Sequence, residues 1–231
     1  TNTMPAHPAV LKSIVTTEMA RAAAEKNGVA CFDTFTGFKF LAEKIKQFEK
    51  DGSHEYIFAF EESYGYLCGD YARDKDAVTA SMLIAEMAAY YRTQGKTLYD
   101  AMEEMYEKYG YYCEQTISIT MPGVSGLQRM KELMQELRDK PLTVVGPDKV
   151  LYTRDYMPGT RTCMADGKTE EIELKGQNVM YYELEGGTTF IIRPSGTEPK
   201  VKVYIMAKGA DKAEAAAKVD VLAAAAKEIV K

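Results

Sequence analysis

The 231-residue chain has no tryptophan, only two histidines (His7 and His54) and four scattered cysteines, Cys31, Cys68, Cys113 and Cys163. With no Cys-x-x-Cys pair, the thiol and imidazole spacing of a zinc cage is missing, and no metal site is expected. A chain this long buries a core without disulfide staples, which favours reduced thiols and a cytoplasmic setting. An excess of positive charge is also missing. A net charge of −5 offers no general field to a phosphate backbone, so nucleic acid is not an expected partner. The most apolar helical stretch, residues 77–91, contains Glu86 and falls short of the ~20 apolar residues that span a bilayer, so no membrane partner is expected either. The opening TNTMPAHPAV lacks the basic-then-apolar order of a signal peptide and reads as an interdomain linker stiffened by Pro5 and Pro8. No Gly-x-Gly-x-x-Gly, Walker A or Gly-x-Ser-x-Gly string occurs, so nucleotide cofactors and serine-hydrolase chemistry have no signature. Both histidines read as solvated.

What is present is an ordinary globular composition, 46% hydrophobic and 27% charged, in a length suited to two domains. The first half alternates strand and helix patterns: an extended run at 12–16, a helix over 17–27 closed by Gly28, and an apolar strand at 29–32. A helical segment follows Gly37, then the aromatic strand 56–60. Helices over 76–93 and from Thr97 onward place Val78, Met82, Ala85 and Ala89, and then Leu98, Met102, Met105 and Tyr109, on faces expected to point inward. The Pro- and Gly-containing segment 117–126 marks the domain boundary, giving domains of 1–119 and 120–231, and a capping box at Ser125–Gln128 opens the next helix. The second half is strand-rich and closes on an alanine-rich helix starting at Asp211. The expected fold is α/β: a mixed sheet covered by helices, then a smaller α+β domain with a largely antiparallel sheet.

Three segments carry chemistry. The turn Arg193-Pro-Ser-Gly-Thr-Glu-Pro-Lys200 suits a phosphate: Arg193 presents a planar fork, Ser195 and Thr197 present hydroxyls, and Gly196 lets backbone N–H groups approach an oxyanion. Its competitor is a merely rigid β-turn. Glu61-Glu62-Ser63 follows an apolar strand, where ligands of open α/β sheets bind, and a carboxylate beside a hydroxyl suits vicinal sugar hydroxyls; a solvated acidic loop is the alternative. Arg73, Lys75, Lys39 and Lys12 are cations able to neutralise a phosphate near that loop, against a reading of surface capping and ion pairing.

With these strings in view, the chain resembles the α-D-phosphohexomutases, the phosphoglucomutase/phosphomannomutase family, in its bacterial phosphoglucomutase branch. The carrying residues are Lys12-Ser-Ile-Val-Thr-Thr17, Thr36-Gly-Phe-Lys-Phe40, Phe60-Glu-Glu-Ser-Tyr-Gly-Tyr66, Gly69-Asp-Tyr-Ala-Arg-Asp-Lys-Asp76 and Arg193-Pro-Ser-Gly-Thr-Glu-Pro199. The resemblance implies the third and fourth of four domains, about half an enzyme. It implies a parent that interconverts hexose 1-phosphate and 6-phosphate through a bisphosphate, an isomerase using Mg2+ and glucose 1,6-bisphosphate. It implies that Glu61 and Ser63 contact sugar hydroxyls, that Arg193, Ser195, Gly196 and Thr197 hold the non-reacting phosphate, and that Lys12 and Lys75 are auxiliary cations. Phe38 stands where some relatives have histidine. The phosphoserine and magnesium loops of the first two domains are missing from these residues, so the chain by itself is expected to bind rather than turn over, with the preceding domains as partner. The alternative is a stand-alone phosphosugar-binding module.

Overall fold

A computed structural model describes residues 4–196 and 198–230. The chain divides into two compact units, 1–110 and 111–231.

The first unit runs β1 (Pro8–Ser13), α1 (Glu18–Lys26), β2 (Ala30–Thr34), α2 (Phe38–Asp51), β3 (Glu55–Glu61), β4 (Gly65–Leu67), α3 (Ala77–Thr93) and α4 (Leu98–Tyr109). Its sheet has the order β2-β1-β3-β4, the first three strands parallel and β4 antiparallel to β3. Parallel pairing needs crossover helices, which α1 and α2 supply. Helix α2 buries Phe38, Leu41, Ile45 and Phe48, an apolar stripe at helical spacing, against Ala9, Leu11, Ala59 and Leu67 of the sheet. Because β1, β2 and β3 run the same way, their carboxyl ends share one edge, and the loops 13–17, 35–37 and 62–64 gather there.

The second unit runs β5 (Tyr111–Thr120), α5 (Gly123–Asp139), β6 (Val144–Val145), β7 (Asp148–Asp155), β8 (Thr160–Cys163), β9 (Thr169–Glu171), β10 (Met180–Leu184), β11 (Thr189–Pro194), β12 (Lys200–Gly209) and α6 (Lys212–Ile229). Its sheet, β5-β12-β11-β10-β7-β8-β9 with β6 paired to β7, is antiparallel throughout. Alternate residues Val201, Val203 and Ile205 of β12, with Phe190 and Ile192 of β11, face Leu133, Met134 and Leu137 of α5 and Val219, Leu222 and Ala226 of α6. Each such side chain fully buried contributes about 1.5–3 kcal/mol. Asp211 caps α6 by accepting from the Glu214 N–H at 2.8 Å.

The α/β class and the order of elements agree with the sequence reading; several details differ. The first strand lies at Pro8–Ser13 rather than 12–16, because Ser13 and Thr16 stitch the following residues into a turn, the Thr16 N–H donating to Ser13 O at 3.0 Å. The units divide between Gly110 and Tyr111 rather than at 119/120, since β5 pairs along its length with β12; the second unit is thereby not the smaller one. Helix α5 starts at Gly123 after Pro122 with no side-chain cap, so the expected box at Ser125 is unused. The largest difference concerns α3 and α4. Val78 and Met82 are 81% and 59% exposed, and Met102 and Met105 are exposed as well, so the face expected to point inward faces solvent. The four cysteines stand unpaired and half-buried, and among the described residues no helix is long and apolar enough to cross a membrane.

Candidate functional site

At the carboxyl edge of the first sheet, local hydrogen bonding locks three loops together. Glu62 ties its own 62–64 loop to the 13–17 loop: Ser13 Oγ and Thr16 Oγ1 donate to Glu62 Oε2 at 3.0 and 3.1 Å, and the Glu62 N–H donates back to Thr16 Oγ1 at 3.2 Å. Glu61, buried at the end of β3, accepts the Gly37 N–H through Oε1. Gly37 caps α2 without a side chain to offer, so Glu61 supplies the missing acceptor and a negative charge at the helix N-terminus. Beneath this edge Lys12 is wholly buried. Its Nζ lies 2.8 Å from Glu18 Oε1 and 2.9 Å from Asp33 Oδ1, and donates to Thr16 O at 3.0 Å. Arg21 completes the cluster, 2.9 Å from Glu18 and 2.5 Å from Asp33. Burial pushes the Glu18 carboxyl up, but the charges and hydrogen bonds of Lys12 and Arg21 outweigh it and hold the group below the usual carboxylate range.

The turn from β3 to β4 is residues 62–64, closed by the pairing of Glu61 with Gly65. Tyr64 sits there at φ 62°, the left-handed conformation that a three-residue hairpin loop needs at its last position, and its ring is 87% exposed. Ser63 is exposed beside it. A bulky residue in this conformation is strained. Replacing Tyr64 by glycine is therefore expected to stabilise the chain by about 0.5–1 kcal/mol, the strain relief exceeding glycine's entropic penalty, as read by urea unfolding. Gly65 has no room for a Cβ, which would meet Phe38 at 2.5 Å and the Lys75 stem at 2.9 Å. This close approach brings Lys75 to the hairpin, its Nζ 5.0 Å from the Phe38 ring centre and 2.7 Å from Asp74.

In the second unit the β11–β12 register sets Arg193 directly opposite Lys202, a like-charge pair that destabilises a sheet unless an anion sits between the two. Arg193 Nη2 donates to Tyr204 Oη at 3.3 Å, while its Nε is buried with no hydrogen-bond partner. Among the described residues Arg193 makes no ion pair. The nearby acid Glu198 is already taken by Lys200, 2.5 Å away. The hairpin closes with the Ser195 N–H donating to Lys200 O at 2.8 Å, and Gly196 is exposed with open space where a Cβ would stand. An under-paired guanidinium beside a lysine and an open glycine is an arrangement suited to an oxyanion.

Comparison with known proteins matches segments of both units to one family. Residues 1–109 match the family model described as phosphoglucomutase/phosphomannomutase, alpha/beta/alpha domain III, and residues 164–224 match the one described as its C-terminal domain. The chain belongs to the phosphoglucomutase/phosphomannomutase family. It is 37% identical over 203 residues to a phosphoglucomutase of Staphylococcus haemolyticus, covering 87% of this chain and 36% of that protein. It is 35% identical over 217 residues to one of Staphylococcus aureus, covering 94% and 39%. In structure it is similar to Paramecium parafusin, described as a phosphoglucomutase in its open form, with a TM-score of 0.62 at 17% identity, over 96% of this chain and 37% of that one. The matched parts thus span 36–39% of the relatives' length, and the chain corresponds to the third and C-terminal domains, the C-terminal half, of a phosphohexomutase, as the sequence reading expects.

Within that family frame the predicted residues separate. The structure gathers Glu61, Ser63 and Lys75 at one hairpin, and Arg193, Ser195 and Gly196 at another; Thr197 lies outside the described residues. Lys39 is exposed in the first turn of α2, its Nζ over the Phe40 ring. Two cations do not stand where sequence put them. Arg73 pairs with Glu49 in the last turn of α2, and because α2 runs against the strands this is the far end of β3 from Glu61. Lys12, expected as an auxiliary cation, is enclosed by Glu18, Asp33 and Thr16, so it braces the 13–17 loop instead. Sequence reasoning missed Glu62 and Thr16 as braces, Tyr64 as the strained turn residue, and Lys202. Only Lys202 had a readable signal: closing a hairpin at Ser195 and Lys200 puts it opposite Arg193.

Proposed function

We propose that this chain is the substrate-recognition portion of a phosphoglucomutase or phosphomannomutase, the whole protein interconverting hexose 1-phosphate and 6-phosphate through a bisphosphate. The single observation that carries the reading is the buried, unpartnered Nε of Arg193, opposite Lys202 in a hairpin that also falls within the family's C-terminal domain match. In this reading Arg193, Lys202, Ser195, Gly196 and Thr197 hold the phosphate that is not reacting. Glu61 and Ser63 meet sugar hydroxyls, and Lys75 adds positive charge beside that hairpin. A bisphosphate that reorients presents either phosphate to the same cradle, so the cradle needs charge and a fork rather than sugar-specific contacts.

The magnesium and glucose 1,6-bisphosphate expected of the parent are assigned to the whole protein. Among the described residues no group of three or more His, Cys, Asp or Glu side chains is placed to hold a metal. The proposed partners are a hexose phosphate and the domains that precede these two in the family. The unpaired cysteines support a cytoplasmic setting.

Calorimetric titration of glucose 6-phosphate into the chain tests the reading, with binding but no interconversion by this chain alone as the expected result. Substituting Gly196→Ala sharpens the test. Nothing lies within 4 Å of the added methyl group, so stability should stay within about 0.5 kcal/mol, while affinity for the sugar phosphate falls because the methyl occupies the approach to the loop backbone. Binding that is absent, or indifferent to both Gly196 and Arg193, overturns the assignment.

A further inference from the structure

The two edges of the second sheet are finished differently. At one edge β9 has only three residues, Thr169–Glu171, two of them glutamates, the short charged strand with which natural sheets discourage further pairing. At the other edge β5 runs for ten residues, Tyr111–Thr120, with no proline or lysine and with Glu114 as its one charge. It pairs with β12 in unbroken register. One hydrogen bond fixes which way its backbone groups point. The Met121 N–H donates to Pro199 O at 2.8 Å, one step beyond the pairing of Thr120 with Lys200. Antiparallel partners exchange hydrogen bonds at every second residue, so Ile119, Ile117, Gln115 and Cys113 face β12. Thr116, Ser118 and Thr120 turn their N–H and C=O groups to the outer side, where no strand pairs with them among the described residues. All three are exposed.

We propose that β5 is a self-association edge, pairing antiparallel with β5 of a second copy across a two-fold axis beside Thr116. The strand's own register favours this occupant. An axis at Thr116 sets Thr116 against its counterpart, Ser118 against the second copy's Glu114, and Thr120 against the second copy's Tyr112. Facing threonines are a favourable cross-strand pair and the two glutamates stay apart, whereas an axis at Glu114 would oppose like charges. The helix over this edge leaves room for a second copy. Burial pushes the Cys113 thiol up, and Glu114 and Asp220 push it further, which places Asp220 on the flank of α6 beside β5. Around it at helical spacing stand Ala216, Ala217 and Ala224, all exposed and small enough for the second copy's α6 to approach. One strand and an alanine flank make a contact at the small end of protein interfaces, so the dimer is reversible rather than obligate.

Sedimentation, hydrogen exchange and a thiol trap read this edge without any ligand. As the chain is concentrated to about 1 mM, where weak contacts fill, a dimer should appear. The amide protons of Thr116, Ser118 and Thr120 should then gain several-fold protection, while those of Ile117 and Ile119, already bonded to β12, change little. Thr116→Lys sets two ammonium groups against each other at the axis. It should weaken association by about tenfold or more and leave unfolding unchanged, since the site is exposed. Ile119→Cys puts a thiol opposite the second copy's Cys113 in a non-hydrogen-bonded pair, with Cα atoms ~4.5 Å apart and within disulfide reach. Diamide should therefore cross-link it to a dimer through Cys113, as mapped by peptide mass. The two positions are ~20 Å apart within one strand, so that link forms only between copies. Ile117→Cys faces Gln115 instead and should cross-link through Cys113 about tenfold more slowly. If Ile119→Cys fails to fold, the exchange pattern and Thr116→Lys still decide. A chain that stays monomeric at about 1 mM overturns the proposal and leaves the edge to another partner. A dimer indifferent to Thr116→Lys overturns it too, because a different face would then join the copies, and faster trapping through Ile117→Cys defeats the Thr116 register. None of these readouts involves a sugar phosphate, so failure here is distinct from failure of the mutase reading.

Discussion

Replacing Arg193 by alanine is expected to weaken glucose 6-phosphate binding by roughly 10- to 100-fold, the 1.5–3 kcal/mol of a charge-assisted hydrogen bond, with little loss of fold stability. The two halves of that expectation come from the same geometry. Among the described residues the guanidinium makes one long hydrogen bond, to Tyr204 Oη at 3.3 Å, and leaves its Nε buried and unpartnered. Removing it also relieves the like-charge opposition to Lys202 across the β11–β12 pair. A residue kept for structure would show the reverse pattern, with unfolding at lower denaturant and unchanged affinity. Arg193→Lys separates charge from shape: it keeps the positive charge but loses the planar fork, so it should recover only part of the affinity. Calorimetry and denaturant unfolding on the same samples decide the matter, and unchanged affinity in Arg193→Ala defeats the phosphate assignment.

Replacing Lys12 by methionine should destabilise the chain by about 3 kcal/mol, because removing one partner of a buried ionic cluster strands the charges left behind. Lys12 is wholly buried and faces two carboxylates, Glu18 at 2.8 Å and Asp33 at 2.9 Å. Both carboxylates keep their contact with Arg21 and are about a quarter exposed, which keeps the loss near the lower end for such clusters. The pH dependence has a definite sign. Glu18 is held below the usual carboxylate range in the folded chain, so the stability it contributes is present at neutral pH and is lost as pH falls through that range. In Lys12→Met much of that contribution is already gone, and unfolding free energy should decline less steeply between pH 7 and pH 4 than in the parent chain. Equal slopes would mean that Arg21 alone sets the Glu18 carboxyl. Since Lys12 also donates to Thr16 O at 3.0 Å, and Thr16 meets Glu62, the substitution should loosen the 13–17 loop and the β3–β4 hairpin together, seen as faster amide exchange in both.

The sequence by itself determined the kind of elements, the family and the two chemical hairpins. Hydrophobic period and glycine punctuation are local properties, and so is the composition of a turn such as 193–200, whose arginine, hydroxyls and glycine are adjacent in the chain. Tertiary structure alone decided which side chains those hairpins can use. Arg73 and Glu49 are 24 residues apart, and Thr16 and Glu62 are 46 apart; nothing in a local pattern tells a flexible charged side chain which of several opposite charges it will meet. The same limit explains Lys12, whose charge reads as available in sequence and is enclosed in the fold. It explains the domain boundary as well, since β5 joins the second sheet through a partner strand about 90 residues further along the chain. Helix α3 shows the limit most plainly: periodicity places Val78 and Met82 on one face, but only the packing of the other elements settles whether that face is covered, and here it stands open.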